Sequence, residues 1–138
     1  MNDIVVGIDR SATAGRAAVV AAETAQAMGA NLHLVMCADR SKSVDLKVGG
    51  DRFRTDWLSE AEQFLRDVAA GLPCDRITQT VSSGDPADEL CEEARRLDAR
   101  MIVVGNRRVH GMARVLGSVA GDVLKKADCD VLVVNTTS

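Results

Sequence analysis

Two short groups in this chain, the turn and basic loop with Gly105, Arg107 and Arg108 and the run Gly117-Ser118-Val119, have the residue types best suited to hold an anion. The first group follows the apolar run Met101 to Val104, and the second opens a segment with helical spacing. A strand, a glycine turn and a helix start in succession would leave backbone N–H groups and a partial positive charge at the end of the loop, a natural seat for phosphate. Arg107, Arg108 and Arg114 add planar cationic donors to the same loop. The first expectation is therefore a nucleotide-binding domain.

Other chemistry finds little support. The four cysteines (Cys37, Cys74, Cys91 and Cys129) are scattered, with no C-x-x-C pair. With only His33 and His110 beside them, no metal-ligand spacing emerges, and no metal site is expected. Cysteines placed this way read as small buried hydrophobes. His33 alternates within a strand and reads as structural, and His110 reads as a loop residue. No nucleophile–base pair stands out, so no catalytic residue is assigned.

The elements that must position the loop follow from periodicity. Ile4 to Ile8 is a nearly continuous apolar run ending at Asp9, as in a strand buried on both faces. Ser11 or Thr13 would cap an Ala-rich helix that runs to Met28, with Gly29 at its carboxyl end. Leu32 to Cys37 is a second strand. Ala38 to about Thr55 is polar and aperiodic and is expected to be a long loop. Asp56 to Ala70 returns to helical spacing through Trp57, Ala61, Phe64, Leu65 and Val68. Ile77 to Val81 alternates, as an edge strand does. Asp85-Pro86 marks a helix start, with Leu90, Ala94 and Leu97 on its inner face. Met101 to Gly105, Gly117 to Lys126 and Asp130 to Asn135 complete a β-α-β-α-β-α-β-α-β order. Such an order implies a parallel sheet with helices on both faces and right-handed crossovers, in one domain over residues 1–138. Ligands of these sheets sit beyond the carboxyl ends of the strands, where Asp9, Cys37 and Gly105 should converge.

Composition narrows the partners. A net charge of -3 gives no general attraction to nucleic acid, and two Phe, one Trp and no Tyr leave few stacking platforms. No apolar run approaches the roughly 20 residues of a membrane span. Asn2 and Asp3 lead straight into a strand without the basic and apolar regions of a signal peptide, so a cytoplasmic protein is expected.

Several pieces taken together carry a family likeness. They are Asp9 followed by Ser11, Gly84-Asp85-Pro86-Ala87, Val103-Val104-Gly105-Asn106-Arg107, Leu116-Gly117-Ser118-Val119 and Cys129-Asp130-Val131-Leu132-Val133-Val134. No single piece is specific, but in this order and at this length they resemble the universal stress protein family over nearly the whole chain. The resemblance implies a Rossmann-like five-stranded parallel sheet in the order 3-2-1-4-5 and a homodimer paired through the last strand, Val131 to Val134. It also implies binding of ATP, AMP or cyclic AMP, with or without Mg²⁺. Gly7, Ile8, Asp9 and Cys37 would then line the base pocket and Val104 and Gly105 the ribose, while Gly117, Ser118 and Val119 would face the phosphates with Arg107 and Arg108. ATP-binding members read Gly, two residues, Gly, nine residues, Gly, then Ser or Thr. Gly105 and Gly117-Ser118 fit that pattern. Arg108 stands where the second glycine belongs, and the stretch after it is one residue short. Arginine there would cost roughly 1–2 kcal/mol at a positive φ, and its bulk would tend to close a phosphate cradle. Gly111, three residues on, could restore the lost freedom.

The leading expectation is thus a non-enzymatic, adenine-nucleotide-binding stress-response regulator that acts as a homodimer with a protein partner still to be identified. A nucleotide-independent interaction module, its loop disabled by Arg108, is the alternative. A slow ATPase with Asp9 beside Mg²⁺ is a second alternative.

Overall fold

The computed structural model describes residues 2–9, 12–38, 50–106 and 116–136. Five strands, β1 (Asp3–Ile8), β2 (Asn31–Ala38), β3 (Ile77–Ser83), β4 (Met101–Asn106) and β5 (Asp130–Asn135), form one parallel sheet in the order β3-β2-β1-β4-β5. Among the described residues, four helices connect them: α1 (Ala12–Met28), α2 (Gly50–Ala70), α3 (Pro86–Leu97) and α4 (Ser118–Lys126). The expected fold class and strand order are therefore observed.

Successive side chains of a strand point to opposite faces, and here both faces are buried. Ile4, Val6, Ile8, Leu32, Leu34, Met36, Val103 and Val134 pack with Ala17, Ala18, Ala21, Ala22 and Ala25 of α1 and with Ala61 and Leu65 of α2. The alternate residues Val5, Val35, Ile102 and Val104 pack with Ala87, Leu90, Cys91 and Ala94 of α3 and with Ala120 and Val123 of α4. The alanine stripe lets α1 lie close to the sheet, which is how a core short of aromatic residues still closes. Leu97 packs at the margin of the second cluster, half-buried.

Local signals end the helices where expected, with one exception. Gly29 takes φ +63° after α1, and the Ala30 N–H donates to the Ala25 carbonyl at 2.8 Å. Asp85 caps α3 by accepting from the Asp88 N–H at 3.1 Å, with Pro86 in the first turn. The exception is the end of α3, where Asp98 rather than glycine adopts the left-handed conformation, φ 50°. Two boundaries move outward from the sequence expectation. Helix α2 begins at Gly50, not after Thr55, and β3 continues to Ser83. Ser11 and the central part of the expected loop, residues 39–49, lie outside the described residues. Among the described residues, no helix is long and apolar enough to cross a membrane.

Candidate functional site

The sheet opens where its strand order reverses. β1 pairs with β2 as far as Ile8↔Met36, and β4 pairs with β5 as far as Asn106↔Asn135. Between β1 and β4, however, the pairing stops at Val6↔Val103. The last residues of β1 and β4 therefore diverge, and the crevice between them is the switch point at which open α/β sheets receive ligands. A cleft of about 420 Å³ lies there, within the range of small-molecule sites.

The strand ends deliver Gly7, Ile8, Asp9, Cys37, Val104 and Gly105 to this cleft, and α4 delivers Gly117, Ser118 and Val119. Those sequence-selected residues thus share one cavity. Arg107 and Arg108, with Arg114, His110 and Gly111, lie outside the described residues. Asp9 is exposed at the rim, the only charged side chain among the described lining residues. The described lining also offers no second carboxylate for a divalent cation, and among the described residues no group of three His, Cys, Asp or Glu could hold a metal.

What the cleft offers an anion is backbone. The first intrahelical bond of α4 runs from the Gly121 N–H to the Gly117 carbonyl at 2.9 Å. The amides of Ser118, Val119 and Ala120 come before it and have no acceptor within the helix. Gly117, not Ser118, is the N-cap, and having no side chain it makes no cap hydrogen bond of its own. Ser118 therefore does not serve as the cap of its own helix. The other end of the helix is complementary, with Lys125 and Lys126 in the last turn and the Lys126 Nζ 2.6 Å from Asp88 Oδ1.

The three glycines of the cleft have different causes. A Cβ on Gly7 would meet Leu90 Cδ1 at 3.1 Å, so this glycine lets α3 settle on β1. A Cβ on Gly105 would meet Thr136 Cγ2 at 2.9 Å and Ala17 Cβ at 3.4 Å, on the α1 face of the sheet. Gly117 has φ -65°, open to any residue, and a Cβ there would meet only Asn106 Oδ1, at 3.3 Å.

Sequence reasoning passed over Ala17, Val35, Pro86, Leu90, Asn106, Ala120 and Thr136, which also line the cleft. Val35 was legible as the neighbour of Cys37 on the same strand face. Thr136 and Ala17 arrive from opposite ends of the chain and carry no motif. Asn106 is the consequential omission, because its Oδ1 accepts from the Gly117 N–H at 2.7 Å.

Cys37 is half-buried, its Sγ 3.6 Å from Ser82 Oγ, and burial raises its pKa, which keeps the thiol protonated. His33 lies at the other end of β2, away from the cleft, and is structural as expected. Its Nδ1 is 2.6 Å from Thr78 Oγ1, and its Nε2 is 2.8 Å from Thr80 Oγ1 and 2.9 Å from Glu93 Oε2.

These features have counterparts in known proteins. Universal stress protein Rv1636 of Mycobacterium tuberculosis is 31% identical over 147 residues, covering 97% of this chain and 96% of that one. A universal stress protein crystallised in complex with cAMP superposes with a TM-score of 0.72 at 27% identity, covering 98% of this chain and 97% of its own. The universal stress protein from Archaeoglobus fulgidus in complex with dAMP gives 0.68 at 26% identity, covering 96% and 97%. The sequence profile of the universal stress protein family matches residues 1–135, and this chain belongs to that family.

Proposed function

We propose that the cleft binds an adenine nucleotide and that the protein is a non-enzymatic stress-response regulator acting as a homodimer. The observation that carries this reading is the amino terminus of α4, whose Ser118, Val119 and Ala120 amides have no acceptor within the helix and which opens onto a mostly apolar crevice between the diverging ends of β1 and β4. A flat base suits the apolar part beside Gly7, Ile8, Val35 and Cys37. Val104 and Gly105 stand at the ribose, and a phosphate suits the amides of Ser118 and Val119. Relatives of the same fold have been crystallised with cAMP and dAMP, two monophosphates, which supports a ligand of that size. Arg107 and Arg108 would add cationic donors at the phosphate end. Asp9 alone could turn a carboxylate toward Mg²⁺ accompanying a polyphosphate, a thin basis for the slow-ATPase reading.

Thermal melting with AMP, ADP, ATP and cyclic AMP, each with and without Mg²⁺, tests the reading. A ligand at 100 times its dissociation constant stabilises the native state by about 2.7 kcal/mol, which raises Tm by several degrees in a domain of this size. No shift with any nucleotide would overturn nucleotide binding. It would favour the nucleotide-independent interaction module, whose supporting observation is Arg108 at the position of the family's second glycine. Phosphate release from ATP above background would instead make the protein an ATPase.

A further inference from the structure

Asn106 holds three parts of the molecule together at the mouth of the cleft. It is the last residue of β4, and its carboxamide oxygen accepts from the Gly117 N–H at 2.7 Å across a gap of 11 positions in the sequence. Its main-chain carbonyl accepts from the Thr136 N–H at 3.1 Å, just past the end of β5. The start of α4 and the residue after β5 are thus both tied to the last residue of β4. This tie fixes how far the α4 amides stand from the strand ends, and it spends the Gly117 N–H before any ligand arrives. The amides left for an anion are those of Ser118, Val119 and Ala120, one turn of helix beside the Asn106 carboxamide.

From this geometry we infer that Asn106 is the positioning residue of the anion end of the cleft, and that its neutrality is what lets a phosphate-bearing ligand approach. The inference rests on the nucleotide reading above and adds to it a residue and a charge rule. A carboxylate in place of the carboxamide would still accept from the Gly117 N–H, so α4 would stay where it is. That carboxylate would also stand beside the incoming phosphate, in a cleft whose only charged described side chain is already the acidic Asp9. Two negative charges a few ångströms apart near a protein surface repel strongly enough to change affinity at least about tenfold. An uncharged ligand that occupies only the base and ribose part would feel little of this.

The test uses Asn106→Asp and Asn106→Ala in the full chain, with AMP and adenosine titrated calorimetrically and the Gly117 amide followed by hydrogen exchange in NMR. In the parent, the Gly117 amide is protected although its residue is exposed. Asn106→Asp keeps that protection, and Asn106→Ala loses it. The ratio of AMP to adenosine affinity falls at least about tenfold in Asn106→Asp. An unchanged ratio overturns the charge rule, and a Gly117 amide equally protected in Asn106→Ala overturns the tie. A parent that binds neither compound overturns the nucleotide reading, and the charge rule with it. The Gly117 exchange still decides the tie in that case, so the two failures are distinguishable.

Discussion

Gly105 and Gly117 look alike in the sequence yet have opposite reasons for being glycine, and substituting each should show it. At Gly105 a methyl group would sit 2.9 Å from Thr136 Cγ2 and 3.4 Å from Ala17 Cβ, both side chains held by α1 and by the end of β5. Gly105→Ala therefore overpacks a junction on the α1 face, and the cost is about 1–3 kcal/mol, read as a lower Tm without ligand. At Gly117 the backbone is ordinary and the space is open except for Asn106 Oδ1. Gly117→Val should leave the stability within about 1 kcal/mol of the parent's. Its branched side chain would instead stand in front of the α4 amides, and AMP affinity should fall about tenfold, or about 1.4 kcal/mol. Equal losses of stability in both variants, or undiminished AMP binding by Gly117→Val, would contradict this division. A glycine's type and spacing are visible in sequence, but its cause is not. The contact that makes Gly105 obligatory comes from Thr136 and Ala17, and Asn106 gains its role only when the chain returns to it eleven residues later.

Among the elements, β2, β3 and α3 are joined by a polar cluster inside an otherwise apolar layer. His33 on β2 faces Thr78 and Thr80 of β3 and Glu93 of α3, and Arg96 grips the Glu93 carboxylate with Nε at 2.9 Å and a second nitrogen at 2.7 Å. Burial lowers the His33 pKa below 6.5, against the opposing pull of Glu93 and the smaller one of Asp3, with the Arg96 charge adding to the lowering. The Arg96 hydrogen bonds lower the Glu93 pKa below 4.5. Both shifts act in one direction. A histidine held neutral contributes stability that is present above its unfolded pKa near 6.5 and is lost as pH falls toward its folded pKa. Glu93 adds a loss at lower pH still, as protonation reaches its folded pKa. Tm should therefore decline from pH 7 toward pH 5, and His33→Gln, which keeps polar atoms for the two threonines, should flatten that decline. An identical slope in parent and variant would show that other groups set the acid response. Of the strands of this layer, β2 was legible as an apolar run of strand length and β3 as an alternating one. The first turns of α2, Gly50 to Thr55, were not, because Asp51, Arg52, Arg54 and Thr55 are polar and Phe53, four residues before Trp57, is the one apolar residue that extends the helical spacing into them. The His33 cluster was visible only as a histidine out of place in an alternating strand, since its partners lie 45, 47 and 60 positions away.

For the whole molecule, the two edges of the sheet are unlike. β3 is the polar edge, with Thr78, Gln79, Thr80, Ser82 and Ser83, whereas β5 carries Val131, Leu132, Val133 and Val134 in succession and, among the described residues, pairs only with β4. One hydrogen bond sets which residues of β5 face away from β4. The Thr136 N–H donates to the Asn106 carbonyl, and alternate residues of a parallel strand turn both groups to the same neighbour. Leu132 and Val134 therefore bond toward β4, and Val131, Val133 and Asn135 turn outward. Consistently, the Asn135 carbonyl accepts from Arg16 Nε at 3.0 Å rather than from β4. An apolar strand with outward donors and acceptors invites pairing with another chain, and a second copy of this one would complete the sheet across the edge. Val133→Pro removes one outward N–H and no bond to β4, and proline is tolerated on such an edge. Sedimentation should give a dimer for the parent and a monomer for Val133→Pro, with helical content kept. A variant that stays dimeric would place the interface on another surface, and a monomeric parent would remove the dimer from the proposed function.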